Sequence, residues 1–222
     1  MEETIGVTDT APIPQQRGEP LLEHAVRYAE ERHWDVFPGT WLEPADGREL
    51  CSCGDPQCQS PGAHPAVKDW AAQATGSAVQ VRRIWEKNGA ASILMPTGRT
   101  FDAIDVPETA GFLALARLER MGLTLGPVSL TPQRRMLFFV LPGAAAKMPD
   151  LVRKSGWSPA AIDLVARGEG DWVAAPPTRF GGRGAVQWAR RPTPANRWLP
   201  DSDELIDALA YACGSEARAR RG

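Results

Sequence analysis

The chain has 222 residues, of which 43% are hydrophobic, and a formal net charge of −2. That is enough apolar material for one large packed domain, and too little positive charge for the whole molecule to be drawn to a polyanion, so any nucleic-acid contact has to come from a local basic patch. No apolar run approaches the ~20 residues of a membrane span, and Met1-Glu2-Glu3-Thr4 lacks the basic start of a signal peptide, which predicts a cytoplasmic protein with no membrane partner.

Residues 1–19, with Pro12, Pro14 and Gly18 among polar neighbours, read as a disordered segment. A helix is expected to start near Pro20, with Leu21, Leu22, Ala25, Val26 and Ala29 as its apolar stripe. Val36-Phe37-Pro38 reads as a short strand. Residues 41–66 carry no period and form an inserted loop. Ser77 to Lys87 reads as a helix capped by Ser77, and Ser92 to Met95 as a strand.

Phe101 to Val106 is the next expected strand, and it carries two acids, Asp102 and Asp105, in an otherwise apolar run. A carboxylate in a half-buried strand is costly unless a metal, a donor or a cation meets it. Thr109 to Met121 predicts a helix that buries Phe112, Leu115, Ala116 and Leu118 and stops at Gly122. Val128 to Thr131 and Met136 to Leu141 predict a hairpin. A short helix is expected from Pro149 to Lys154. Ile162 to Val165 and Trp172 to Ala175 predict a second hairpin, turned by Gly168-Glu169-Gly170, and Gln187-Trp188 an edge strand. The last helix starts near Ser202, Cys213 is a core residue of it, and residues 214–222 read as a basic tail. Helices and hairpins mixed without a strict strand–helix repeat predict an α+β fold, in one domain over 20–213, with most of the strands in one mainly antiparallel sheet.

Cys51-Ser-Cys53-Gly-Asp-Pro-Gln-Cys58-Gln-Ser-Pro-Gly-Ala-His64 places three thiols and one imidazole in a short turn-rich loop. Those are the ligands that tetrahedral Zn²⁺ prefers, and a structural site fills all four positions with protein. Cys51, Cys53, Cys58 and His64 are therefore the expected ligands of a structural zinc; the alternative is a set of free cysteines in a loop, or an adventitious disulfide.

In combination and order, several segments resemble the bifunctional DNA primase/polymerase N-terminal domain of the archaeo-eukaryotic primase (prim-pol) superfamily. They are Val36-Phe37-Pro38, the cysteine loop, Ile93-Leu-Met-Pro-Thr-Gly98, Ile104-Asp105-Val106, and Gly168-Glu-Gly-Asp-Trp-Val-Ala-Ala-Pro-Pro177. The resemblance covers about Leu21 to Ala212. It implies a prim-pol-like, mainly antiparallel sheet with packed helices, and template-directed nucleotidyl transfer with Mg or Mn. In that family two acids with one residue between them share a strand face, a third stands on a neighbouring strand, and a histidine holds the nucleotide's phosphates. By resemblance Asp105 is the first acid and Asp163 the third. The second position holds Pro107, and Met136 stands where the histidine is expected. Asp102 and Glu108 have the wrong parity for the face of Asp105 but are the available substitutes if the strand bulges. Arg134 and Arg135 are the remaining phosphate donors in the turn.

Three functions compete. The first is a standalone, catalytically degenerate prim-pol domain that binds DNA or nucleotide in replication, repair or regulation. The second is an active primase or polymerase with a rearranged carboxylate site. The third is a protein-interaction module that has left nucleic acid behind, with no partner that the sequence names.

Overall fold

The computed structural model describes residues 19–45 and 47–220. The segment read as disordered thus lies, but for Glu19, outside the described residues. In chain order the elements are α1 (Leu21–Arg32), β1 (Phe37–Pro38), β2 (Leu42–Ala45), β3 (Arg48–Cys51), α2 (Ala78–Lys87), β4 (Ile93–Pro96), β5 (Asp102–Pro107) and α3 (Glu108–Arg120). There follow β6 (Val128–Thr131), β7 (Arg135–Val140), α4 (Ala144–Lys154), β8 (Val165–Arg167), β9 (Trp172–Ala174), β10 (Gln187–Arg190) and α5 (Ser202–Ala219). The class is α+β, and the strand pairs are antiparallel.

The strands divide into a five-stranded sheet, β10-β6-β7-β5-β8, a three-stranded sheet, β1-β4-β9, and the hairpin β2-β3. This corrects two expectations. The strands do not lie in one sheet, and the segments around Gly168-Glu169-Gly170 are not a hairpin: β8 pairs with β5 while β9 crosses to β4. Strand β8 also begins at Val165, the residue at which the sequence pattern predicts its end. Residues 159–161 form a short 3-10 turn that delays the strand.

Period-two alternation sorts the five-stranded sheet into two faces. Ile104, Val106, Met136, Phe138 and Val140 pack with α3, α4 and α5 in one core. Phe101, Ala103, Leu137 and Phe139 face the other way, against Trp34, Ile93, Met95 and Val173. There Trp34, Phe101 and Phe139 stack, with ring centroids 4.6 to 5.4 Å apart. The far face of the three-stranded sheet carries a third core, where Phe37, Leu94 and Ala174 meet Ala63 of the cysteine loop.

Helix α3 is rotated from the expected face. It buries Ala110, Gly111, Ala114, Leu115 and Leu118, while Phe112 is exposed and so is Ala116. Close approach decides this. A Cβ on Gly111 would stand 2.6 Å from Met136 Sδ, so the small residues form the contact and the bulky Phe112 is turned outward.

Helix α4 begins at Ala144 rather than Pro149, which lies inside it. The start is fixed from outside the helix: Asp102 Oδ2 accepts from the N–H groups of Gly143 (3.0 Å) and Ala145 (3.1 Å). Helix α5 runs on to Ala219, so residues 214–219 are helix and not a separate tail.

Asp201 caps α5, accepting from Asp203 N–H, and Lys147 Nζ lies 2.5 Å from its carboxylate. Lys147 first, then the Asp203 N–H, lower the Asp201 pKa from 3.8 to about 2. Because the folded pKa is the lower one, this stabilisation is present above about pH 4 and is lost as pH falls towards 2. Asp201→Ala is expected to cost ~1 kcal/mol at pH 7 and to flatten the acid limb of stability below pH 4, as measured by urea unfolding across pH. An unchanged acid limb would refute it.

Candidate functional site: an arginine-bridged carboxylate cleft beside a cysteine–histidine cluster

The antiparallel hairpin β2-β3 ends at Cys51, and the loop then turns back so that Cys51, Cys53, Cys58 and His64 converge. One ligand atom from each lies within 4.8 Å of every other. Cys51 Sγ and His64 Nε2 are 3.4 Å apart. His64 Nδ1 is 2.9 Å from the Pro65 carbonyl, which fixes the tautomer with Nδ1 donating and leaves the Nε2 lone pair towards the thiols. Burial alone would raise the Cys51 pKa, but N–H groups of Cys53 and Gly62 and the side chain of Thr40 bring it down to about 6. A thiolate, a correctly oriented imidazole and two further thiols make a donor set that fits a tetrahedral metal ion.

A cleft of about 480 Å³ opens between the two sheets next to this loop. Its floor is the face of the five-stranded sheet that carries Asp105. In register Asp105 sits opposite Leu137 on β7 and Val165 on β8. Ser60 of the cysteine loop lines one wall and accepts a long hydrogen bond, 3.4 Å, from Gln133 Nε2 of the β6–β7 turn.

Asp105 is buried, and both of its oxygens are taken by guanidinium groups. Arg135 Nε donates to Oδ1 at 2.7 Å. Arg167 Nε and Nη2 donate to Oδ2 at 2.9 and 2.7 Å. Arg135 Nη1 also donates to Asp163 Oδ2 at 2.6 Å. One guanidinium thus bridges the two acids. Burial would lower the Arg135 pKa, but the carboxylates of Asp163 and Asp105 outweigh it and hold it above its ordinary value. Asp163 lies two residues before β8, exposed, with the same parity as Val165 and Arg167.

The other sequence candidates stand elsewhere. Asp102 is on the opposite face of β5, where it caps α4, so it is not a substitute ligand at Asp105. Glu108 is the first residue of α3 and pairs with Arg134 Nε at 3.0 Å. Pro107 does share the face of Asp105 and sits opposite Arg135 in register. Met136 is fully buried on the helix side. It therefore cannot mark a site position, and the residues of β7 that reach the cleft are its neighbours Arg135 and Leu137. Arg167 is a site residue that sequence reasoning misses, although its spacing of four from Asp163 puts both on one strand face.

The turn after Arg167 packs Gly168-Glu169-Gly170-Asp171 against Thr97-Gly98. Thr97 N–H donates to the Asp171 carbonyl, and Thr97 Oγ1 donates to the Gly168 carbonyl at 2.6 Å. Gly98, at φ +84°, lies against Glu169, and a Cβ there would stand 2.3 Å from the Glu169 Cα. This contact holds the chain where it leaves one sheet for the other, and so positions Arg167 and Trp172 on either side of the cleft.

No helix among the described residues is long and apolar enough to cross a membrane. No curated protein matches the sequence. A solved structure with similarity is the polymerase domain of ligase D from Mycobacterium tuberculosis, in complex with DNA. It is 12% identical with a TM-score of 0.37, over 86% of this chain and 88% of that one. The family described as "Bifunctional DNA primase/polymerase, N-terminal" matches residues 25–198, most of the 222-residue sequence. With the antiparallel sheets, the cysteine loop and the Asp105 strand all inside that span, the chain belongs to the Prim-Pol family of bifunctional DNA primase/polymerase N-terminal domains.

Proposed function

We propose that this primase/polymerase-like domain binds nucleic acid or nucleotide and does not carry out efficient metal-dependent nucleotidyl transfer. The observation that carries this reading is the Arg135 guanidinium between Asp105 and Asp163. Two-metal chemistry needs several carboxylate oxygens free to coordinate. Here both oxygens of Asp105 and one of Asp163 already hold charge-assisted hydrogen bonds. Asp102 and Glu108 point to α4 and to Arg134, and Asp171 stands across the Arg167 guanidinium from Asp105, at 3.9 Å from Nη1. The active reading would require Mg²⁺ or Mn²⁺ to displace Arg135 from both Asp105 and Asp163.

The Cys51, Cys53, Cys58 and His64 cluster serves, in this reading, as a structural zinc site that shapes one wall of the cleft. Four protein donors leave no open position for catalysis at that ion.

A primer-synthesis assay with Mg²⁺ and with Mn²⁺ tests the proposal. Wild type is expected to give product indistinguishable from that of an Asp105→Ala, Asp163→Ala variant. Robust synthesis by wild type that disappears in this variant would overturn it.

A further inference from the structure

The chain between 172 and 200 holds five arginines and no acidic residue, in a protein of net charge −2. Much of this segment folds beside α1. There a groove of about 430 Å³ is lined by Tyr28 and Arg32 on the helix side and by Trp188 and Arg191 on the other. It shares no lining residue with the carboxylate cleft.

Arg27, which also lines this groove, pairs with Glu19 and, at 3.9 Å, with Glu31 of the same lining, but the other arginines lack such partners among the described residues. Arg32 donates to the carbonyl oxygens of Thr193, Asn196 and Arg197 and stacks over Trp34 at 4.9 Å, but has no carboxylate within 4.0 Å among the described residues. Arg191 and Arg197 are exposed and have no acidic partner within 4.0 Å among the described residues. Burial first, then the positive charge of Arg197, lower the Arg32 pKa, and the nearby Glu31 carboxylate only partly opposes them. Next to Arg197, Trp198 is 82% exposed, the most exposed of the large apolar side chains among the described residues. Trp188 is half-buried at the groove wall, in edge contact with Tyr28 at 6.1 Å.

Unpaired arginines together with an outward-facing indole match one ligand chemistry. Phosphates neutralise the guanidinium groups, and a base stacks on the aromatic face. An acidic peptide would use the first feature and leave Trp198 unexplained. We propose that the groove lined by Arg32 and Arg191, continued past Arg197, whose carbonyl Arg32 reaches, and the neighbouring Trp198, is a binding track for single-stranded nucleic acid, separate from the carboxylate cleft. This rests on the nucleic-acid part of the function proposed above and gives it a location.

The test uses the full chain, a fluorescein-labelled oligo-dT of about 12 nucleotides, and salt titrations by fluorescence anisotropy. Arg191→Glu with Arg197→Glu is expected to weaken binding at least tenfold at low salt. It should also make the slope of log affinity against log salt shallower by about 1.4, or ~0.7 for each single-strand phosphate no longer neutralised. Trp198→Ala is expected to weaken binding about tenfold while leaving that slope unchanged, as removal of one base stack should. All three residues are exposed, and unaltered thermal melts verify that the variants are folded. Two outcomes overturn the inference while leaving the wider reading intact: binding that survives these changes but falls with Arg134→Glu in the turn beside the cleft, or an abasic oligomer bound as tightly as oligo-dT. Poly-glutamate binding with the same affinity as oligo-dT would assign the groove to an acidic protein partner and overturn it too. An absence of any salt-dependent oligonucleotide binding by wild type would remove both this inference and the nucleic-acid part of the proposed function.

Discussion

Arg135→Ala is expected to turn the cleft into a divalent-cation site and to destabilise the fold by about 2–3 kcal/mol. In wild type the Arg135 guanidinium holds Asp105 Oδ1 and Asp163 Oδ2 at 2.7 and 2.6 Å. Its removal leaves two carboxylate oxygens facing each other with no cation between them. The destabilisation stays below the ~3–5 kcal/mol typical of a broken buried ion pair, because Arg167 still neutralises Asp105 from the other side and Asp163 is exposed to water. For a domain of this size the melting temperature should fall by roughly 5–10 °C. Mn²⁺ should restore part of that, since an ion that binds only the folded state stabilises it by mass action. Mn²⁺ binding followed by electron paramagnetic resonance should show at least a tenfold gain in affinity over wild type. Equal Mn²⁺ affinity in the two proteins would mean that the guanidinium does not exclude the metal, and the degenerate reading would lose its main support. Primer synthesis is not expected to return with this change alone, since Pro107 still offers no ligand on the face of Asp105. The pair of substitutions that puts both missing groups on the cleft face is Pro107→Asp with Arg135→His, because those two positions are opposite each other in register. A histidine at 136 would instead enter the helix-side core.

Strand parity is legible in the sequence for β5 and misleading for β7. Counting by two from Asp105 separates it from Asp102, and the structure puts Asp102 on the far face, capping α4. On β7 the role expected of position 136 rests on a family resemblance alone, and a one-residue offset moves a side chain to the opposite face of a sheet. The bridge between Asp105 and Asp163 is not legible because it depends on the pairing of β7 with β5, a long-range register. The cysteine cluster is legible because its ligands are close in sequence and chemically distinctive. The exchange of β9 to the other sheet is hidden for the opposite reason. Gly168-Glu169-Gly170 has the composition of a hairpin turn, and only the contact with Thr97-Gly98, some seventy residues away, shows the strands separating there. Helix α3 shows that hydrophobicity alone does not choose a face. Gly111 and Ala114 bury because their size allows α3 to approach its neighbours, and Phe112 is left outside.

The second large effect concerns the cysteine loop. Purified protein is expected to carry one zinc ion per chain, and Cys53→Ser is expected to lose it. The four ligand atoms lie within 4.8 Å of one another, close to the ~3.8 Å edge of a tetrahedron with Zn–S bonds of ~2.3 Å, so little rearrangement is needed to bind. Structural zinc sites in isolated finger peptides contribute ~10–16 kcal/mol and their peptides unfold without the ion. Here the loop has other attachments. His64 N–H and carbonyl both meet Thr40, Ser52 N–H meets the Trp41 carbonyl, and Arg179 forms a two-point ion pair with Glu49 of β3. Ala63 is also buried in the third core. Loss of metal should therefore loosen residues 51–64 without unfolding the two sheets. Hydrogen exchange is the measurement of choice: amides of that loop should exchange much faster in Cys53→Ser or after chelation, while those of β5 and β7 keep their protection. The affinity should also fall in acid, because protons compete for the thiolates and for His64 Nε2. Ser60 and its hydrogen bond with Gln133 belong to the loosened segment, so the cleft should lose one wall at the same time, even though no ligand of the metal reaches the carboxylates. Purified protein without zinc, whose loop is as protected as that of a zinc-reconstituted sample, would show that the four side chains are held together by the loop's own contacts and that the metal reading is wrong.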